Sequence, residues 1–186
     1  MVRISVVVPV FNTAMYLETC IAALKAQDYP DNDYEIIVVD NNSTDTSPEI
    51  LAGSSGIVVL REEKQSSYAA RNHGAREARG EILAFTDSDC FPEAGWLRAM
   101  EASLADPHVQ VVLGSRNPLI KGGLVGMVSS YEEKKDQLTF NSSTPDVYYG
   151  YTNNMMVRRS IFDRYGPFVE RSRGADTIFV RRVVNG

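Results

Sequence analysis

The stretch "ILAFTDSDC", Ile82 to Cys90, begins as an apolar run and ends on two carboxylates, Asp87 and Asp89, separated by one serine. Its first half reads as a strand buried on both faces, and its polar end falls where that strand leaves the sheet. Just upstream, "SSYAARNHGAREARG" (66–80) predicts a helix of small residues closed by Gly80. Just downstream, "FPEAGWLRAMEASLAD" (91–106) predicts another, with Pro92 near its start and Leu97, Met100 and Leu104 on one face.

The same rhythm extends in both directions. "ISVVVPV" (4–10), "YEIIVVD" (34–40) and "GIVVL" (56–60) read as strands, and "VQVVLGS" (109–115) as a fifth. Leu17, Cys20, Ile21 and Leu24 stand at helical spacing, and "NNSTD" supplies turn and cap residues for a helix near 45–51. Strand and helix alternate, which predicts a mainly parallel sheet with helices on both faces, an α/β fold. After about residue 115 the rhythm breaks. There "RNPLIKGGLVGMVSSYEEKKDQLTF" (116–140) predicts a helix, "VYYGYTNNMMV" (147–157) one or two strands, and "RRSIFDRYG" (158–166) a helix. No repeat or linker divides the chain, so 1–186 is expected to form one domain with halves at 1–115 and 116–186.

Composition narrows the functional classes. With 44% hydrophobic and 23% charged residues the chain is that of an ordinary globular protein. A net charge of -5 offers nucleic acid no basic stripe. Two cysteines, Cys20 and Cys90, cannot build a disulfide framework, which points to a reducing compartment. The apolar start is too short for a leader and is interrupted by Pro9, and no run approaches a membrane span. A cytoplasmic location is the expectation, with peripheral association at the cytoplasmic membrane face left open.

In parallel α/β sheets ligands gather at the carboxyl ends of the strands. Here those ends carry "PVFN", "VVDNNSTD" and "FTDSDC". No glycine-rich phosphate cradle follows the first strand. A diphosphate would need its charge offset by other means. In extended backbone Asp87 and Asp89 would point to one side and form a like-charge pair, costly unless a cation intervenes or water is plentiful. Hard oxygen ligands suit Mn2+ or Mg2+, which take one or two carboxylates and complete their shell with water and substrate phosphates.

Taken together, "VVVPVFN", "IIVVDNNSTD", "AARNHGAREARGEILAFTDSD" and "NNMMVRRSIFDRYGPF…GAD" resemble, in that order, the inverting family 2 glycosyltransferases of the GT-A fold, over essentially the whole chain. The resemblance implies a nucleotide-sugar-dependent enzyme acting in glycan, polysaccharide or glycolipid synthesis at the cell envelope, with a UDP-sugar as the favoured donor. It places Pro9 and Asn12 on the loop wrapping the nucleotide, Asp40 on the base and Arg71 beside the nucleotide. Asp87 matches the ribose-side or water-mediated member of the D-x-D motif, and Asp89 the direct metal ligand. Asp176 matches the general base, and Asn153 and Asn154 fall where donor-sugar or acceptor contacts are expected.

Two departures are visible. Ala175 stands where the family commonly has Glu, and the chain ends ten residues after Asp176, which suggests an acceptor side cut short. They leave room for a non-catalytic nucleotide-sugar-binding domain or interaction subunit. A sugar-phosphate nucleotidyltransferase is the weaker rival, because "PVFNTAMY" has neither glycine nor a basic residue.

Overall fold

The computed structural model describes residues 1–117, 134–135, 137–138 and 149–186. The helix expected within 116–140 lies almost wholly outside them. The elements run β1 (Ile4–Val10), α1 (Ala14–Lys25), β2 (Tyr34–Asp40), α2 (Ser47–Gly53), β3 (Val58–Arg61), α3 (Ser67–Glu77), β4 (Ile82–Thr86), α4 (Trp96–Ser103), β5 (Val111–Leu113), β6 (Asn154–Arg158), α5 (Arg159–Tyr165) and α6 (Ala175–Asn185).

One six-stranded sheet has the order β3-β2-β1-β4-β6-β5. β1, β2, β3 and β4 are parallel to one another, as expected. β6 slots between β4 and β5 and runs antiparallel to both. Local pattern cannot announce this, since it records whether a strand is buried and not which neighbour it takes. α6, which sequence reading missed, had a usable signal: Ala175 and Phe179 stand four apart and are both fully buried.

Alternation along the strands sorts the core into two layers. Ile4, Val6, Val8 and Val10 meet Leu17, Cys20, Ile21 and Leu24 of α1, with Leu51 of α2 and Leu97 and Met100 of α4. Val7, Ile37, Val39, Leu83 and Phe85 face the other way, onto Tyr68, Ala70 and Ala75 of α3 and the ring cluster of Phe162, Phe168 and Phe179.

Three expectations change. The 66–80 helix is not closed by Gly80: it ends at Glu77, with Ala78 as its extended cap. Gly80 is required for a different reason, since a Cβ there would lie 2.7 Å from the Ser5 backbone nitrogen. The 91–106 helix starts only at Trp96, so Pro92 precedes it rather than opening it. Pro9 lies within β1, not on the loop that follows. Val10 accepts from Asn41 N–H, so its polar groups face β2 and those of Pro9 face the β4 side. The β1–β4 ladder has already ended at Val7, so no N–H is missed.

Among the described residues, no helix is long and apolar enough to cross a membrane.

Candidate functional site

The carboxyl ends of β1, β2 and β4 are knitted together by side chains. Asn12, in left-handed backbone (φ 51°), accepts through Oδ1 from Thr44 N–H at 2.7 Å and Asp45 N–H at 3.3 Å. Its own N–H donates to Ser43 Oγ at 3.1 Å. Asp40, buried at the end of β2, accepts from Ser43 N–H at 3.2 Å through one oxygen. Asp45 caps α1 by accepting from Ala14 N–H at 3.0 Å, and that bond, with those from Ser47, holds its carboxyl below the usual range.

Sequence reading assigned nothing to Asn41, yet it organises the rim. Its side chain donates to the carbonyls of Glu62 (2.9 Å) and Lys64 (2.7 Å) and accepts from Ser66 N–H at 2.8 Å. Ser66 in turn caps α3. The start of α3 is therefore fixed to the end of β2.

The D-x-D segment corrects a further expectation. β4 stops at Thr86, and Cys90 N–H donates to the Asp87 carbonyl at 3.0 Å, so Asp87 to Cys90 form a turn rather than extended strand. Same-side projection of the two carboxylates therefore does not follow from strand geometry. The turn is anchored by buried Ser88, which accepts from Thr13 Oγ1 at 2.9 Å, and leaves Asp89 exposed. Asp87 pairs with the Arg71 guanidinium, which is nearly fully buried on α3. Arg71 Nε has no hydrogen-bond partner among the described residues.

Burial, reinforced by the neighbouring acidic groups, pushes the Cys20 thiol up to about 12 and the Cys90 thiol up to about 11. Both stay protonated near neutrality, so the carboxylates are the donors left for a hard cation. Among the described residues no three His, Cys, Asp or Glu side chains converge on one point. The donor set fits Mn2+ or Mg2+ as an ion that draws further oxygens from a bound diphosphate.

Asp176 sits partly exposed in the first turn of α6, where free backbone amides favour an anion. Gly150 lets residues 149–152 press against that turn, since a Cβ would lie 2.8 Å from the Asp176 carbonyl. Burial first, and then the charge of the Asp176 carboxylate, raise the pKa of the Tyr68 phenol. Ala175 is fully buried in the aromatic layer, so in this chain position 175 is a core position and not part of the site surface.

The two asparagines differ. Asn153 Oδ1 is buried with no partner among the described residues. The Asn154 amide is engaged at both ends, accepting from Trp96 Nε1 and donating to the Ser115 carbonyl, each at 2.8 Å. That side chain is a bridge between β6, α4 and the end of β5.

The overall fold is shared with known proteins. Residues 5–166 match the model of glycosyl transferase family 2. This chain belongs to that family. Glycosyltransferase AglE of Haloferax volcanii is 31% identical over 188 residues, covering 98% of this chain and 61% of AglE. The crystal structure of S. aureus TarS 1–349 in complex with UDP-GlcNAc superposes with a TM-score of 0.78 at 23% identity, over 97% of this chain and 53% of that one. Mannosyltransferase PcManGT of Pyrobaculum calidifontis, in complex with GDP-Man and Mn2+, gives 0.75 at 26% identity, over 96% and 50%. The fold is thus the GT-A glycosyltransferase fold, and this family 2 chain spans roughly half to three-fifths of the length of these relatives. Asp176 lies beyond the matched residues.

Proposed function

We propose that the chain transfers a sugar from a nucleoside-diphosphate donor, a UDP-sugar first, to an acceptor hydroxyl with inversion, in glycan, polysaccharide or glycolipid synthesis for the cell envelope. The observation that carries this reading is that a chain of glycosyl transferase family 2 holds, at the carboxyl end of β4, the first carboxylate of its D-x-D turn against a buried arginine. Arg71 of α3 pairs with Asp87 there, and Asp89 of the same turn is exposed.

The roles divide accordingly. Asp40 accepts from the base, and Asn12 shapes the loop around the nucleotide, which begins just after Pro9 of β1. Arg71 lies at the diphosphate end with Asp87, and Asn153 offers its free carbonyl to the donor sugar or acceptor. A hard divalent cation, Mn2+ or Mg2+, held by Asp89 with Asp87, would supply offsetting charge for the leaving diphosphate. Asp176 takes the proton of the attacking hydroxyl, a contribution of about 10²–10⁴-fold for a positioned base. One base and no covalent nucleophile give a single displacement, hence inversion. Residues 1–115 form the donor half and 116–186 the acceptor half of one domain, which acts in the cytoplasm or at the cytoplasmic membrane face. The rival reading as a non-catalytic module, which drew on Ala175 and on the early end of the chain, is separated from this one by the turnover arm of the test.

The test pairs binding with turnover. Titration of UDP with and without Mn2+ should show metal-dependent binding in the parent chain and its loss in Asp89→Ala. Asp176→Asn should keep that binding while turnover of the donor falls by about 10²-fold or more. Binding indifferent to chelator removes the metal from the scheme. Equal loss of affinity and turnover in Asp176→Asn removes the base.

A further inference from the structure

We propose that Thr177 is a positioning residue, whose hydroxyl, seated on Gly150, sets the Asp176 carboxylate at a fixed place relative to the D-x-D turn. The inference rests on the reading of Asp176 as the base.

Asp176 and Thr177 are neighbours in the first turn of α6. Thr177 N–H, one of the amides that a helix start leaves without an internal partner, donates to Asp176 Oδ1 at 2.9 Å. One carboxylate oxygen is thereby held, and a general base needs only the other. The Thr177 side chain meets a different element. Its Oγ1 accepts from Gly150 N–H at 3.3 Å and donates to the Gly150 carbonyl at 3.4 Å, the two roles a hydroxyl can fill at once. Bonds of that length hold the helix loosely by themselves. What tightens the joint is the buried Gly150. A Cβ there would lie 2.8 Å from the Asp176 carbonyl oxygen, 3.1 Å from its carbon and 2.6 Å from a Val180 methyl. The methyl can turn aside, whereas the Asp176 peptide moves only with the helix start.

From Gly150 the chain leads to the other end of the site. Three residues on, the Asn153 carbonyl accepts from Thr86 Oγ1 at 3.1 Å, and Thr86 closes β4 directly before Asp87. Between them the Tyr151 phenol donates to the Gly114 carbonyl at 2.8 Å. Three residues of chain span at most about 11 Å. The segment from Gly150 to Asn153 is therefore a short spacer, docked to the D-x-D end through Thr86 and to the base end through Thr177. It also carries the unpartnered Asn153 Oδ1. When the attacking hydroxyl must stand opposite the leaving diphosphate, that spacing decides whether the base is in reach. No covalent or redox step falls to Thr177.

Three substitutions take the joint apart. Thr177→Ser keeps the hydroxyl, Thr177→Val keeps the shape without it, and Gly150→Ala pushes on the Asp176 peptide. With UDP-GlcNAc hydrolysis as the turnover assay and UDP with Mn2+ as the binding probe, Thr177→Val is expected to lower kcat about tenfold and leave KM and the UDP affinity within about twofold. Thr177→Ser is expected to keep kcat within about threefold of the parent. Gly150→Ala should lower kcat by about 10²-fold, the cost of an ångström-scale misplacement. Hydrogen exchange reads the joint without turnover: the Gly150 amide should exchange faster in Thr177→Val and at the parent's rate in Thr177→Ser. Thr177→Val turning over like the parent beside an inactive Asp176→Asn overturns the role of Thr177 alone. So does an equal loss of kcat in Thr177→Val and Thr177→Ser, or a Gly150 exchange rate that Thr177→Val leaves unchanged. A parent chain that hydrolyses no donor, or an Asp176→Asn variant that matches the parent, overturns the base, and this inference with it.

Discussion

The two rims of the sheet carry polar groups of opposite character. At the amino ends of the strands, charge is closed upon itself. Glu35 accepts from Ser5 Oγ at 2.6 Å, from Arg79 N–H at 2.7 Å and from the Arg79 guanidinium, and Gly80 N–H completes the set on Ser5. Arg3 bridges Glu81 and Glu101 beside it. At the carboxyl ends, Arg71 Nε and Asn153 Oδ1 lack partners among the described residues, and Asp89 is exposed. Buried polar groups cost free energy unless paired. On the proposed reading, the partners of such a rim arrive with a ligand. The difference then separates polar residues that hold the fold from those proposed to serve the reaction, using no motif.

The contrast can be broken, and the largest expected effect lies at the closed rim. Glu35→Ala strands Ser5 and the Arg79 N–H in the interior and should cost about 2–3 kcal/mol of stability, the exposed Arg79 head adding little. UDP affinity should stay unchanged; a parallel loss of binding in the titration would erase the distinction. The next effect is pH dependence. Burial alone would raise the Glu35 and Glu101 carboxyls, but hydrogen bonds from Ser5 and Arg79, and from Arg3 and Tyr29, more than offset it and hold both below the usual value. Their stabilisation is therefore complete above the ordinary glutamate range near pH ~4.3 and is lost as pH falls through the lowered folded values. Denaturation followed from pH 6 downward should show that decline, and Glu35→Gln with Glu101→Gln should flatten it. The smallest effect on stability belongs to the open rim. Asp89→Ala should change the unfolding free energy by no more than about 0.5 kcal/mol, as for an exposed residue. A larger loss would make Asp89 part of the scaffold.

Much of this was legible in the residues. The buried strands declared themselves by continuous β-branched runs, and α1 by Leu17, Cys20, Ile21 and Leu24. The paired carboxylates follow the end of an apolar strand, as their place in the sequence implied. What stayed hidden depends on partners distant in sequence. The insertion of β6 between β4 and β5 is decided by which edge remains free once the parallel strands have paired. Asn41 and Asn72 looked like loop and motif residues, yet each fastens a backbone more than twenty residues away or more than ninety. The turn at Asp87 to Cys90 was missed because a serine between two aspartates suits strand and turn alike.

Pro9 has a counterpart in the turn beside it. The proline faces β4 where their ladder has already ended, so it withholds no bond there. Past Thr86 the neighbouring chain curls instead, and the Asp87 carbonyl accepts from the Cys90 amide and the Cys20 thiol. On the proposed reading, that curl is what turns the end of a buried strand into a place for a ligand.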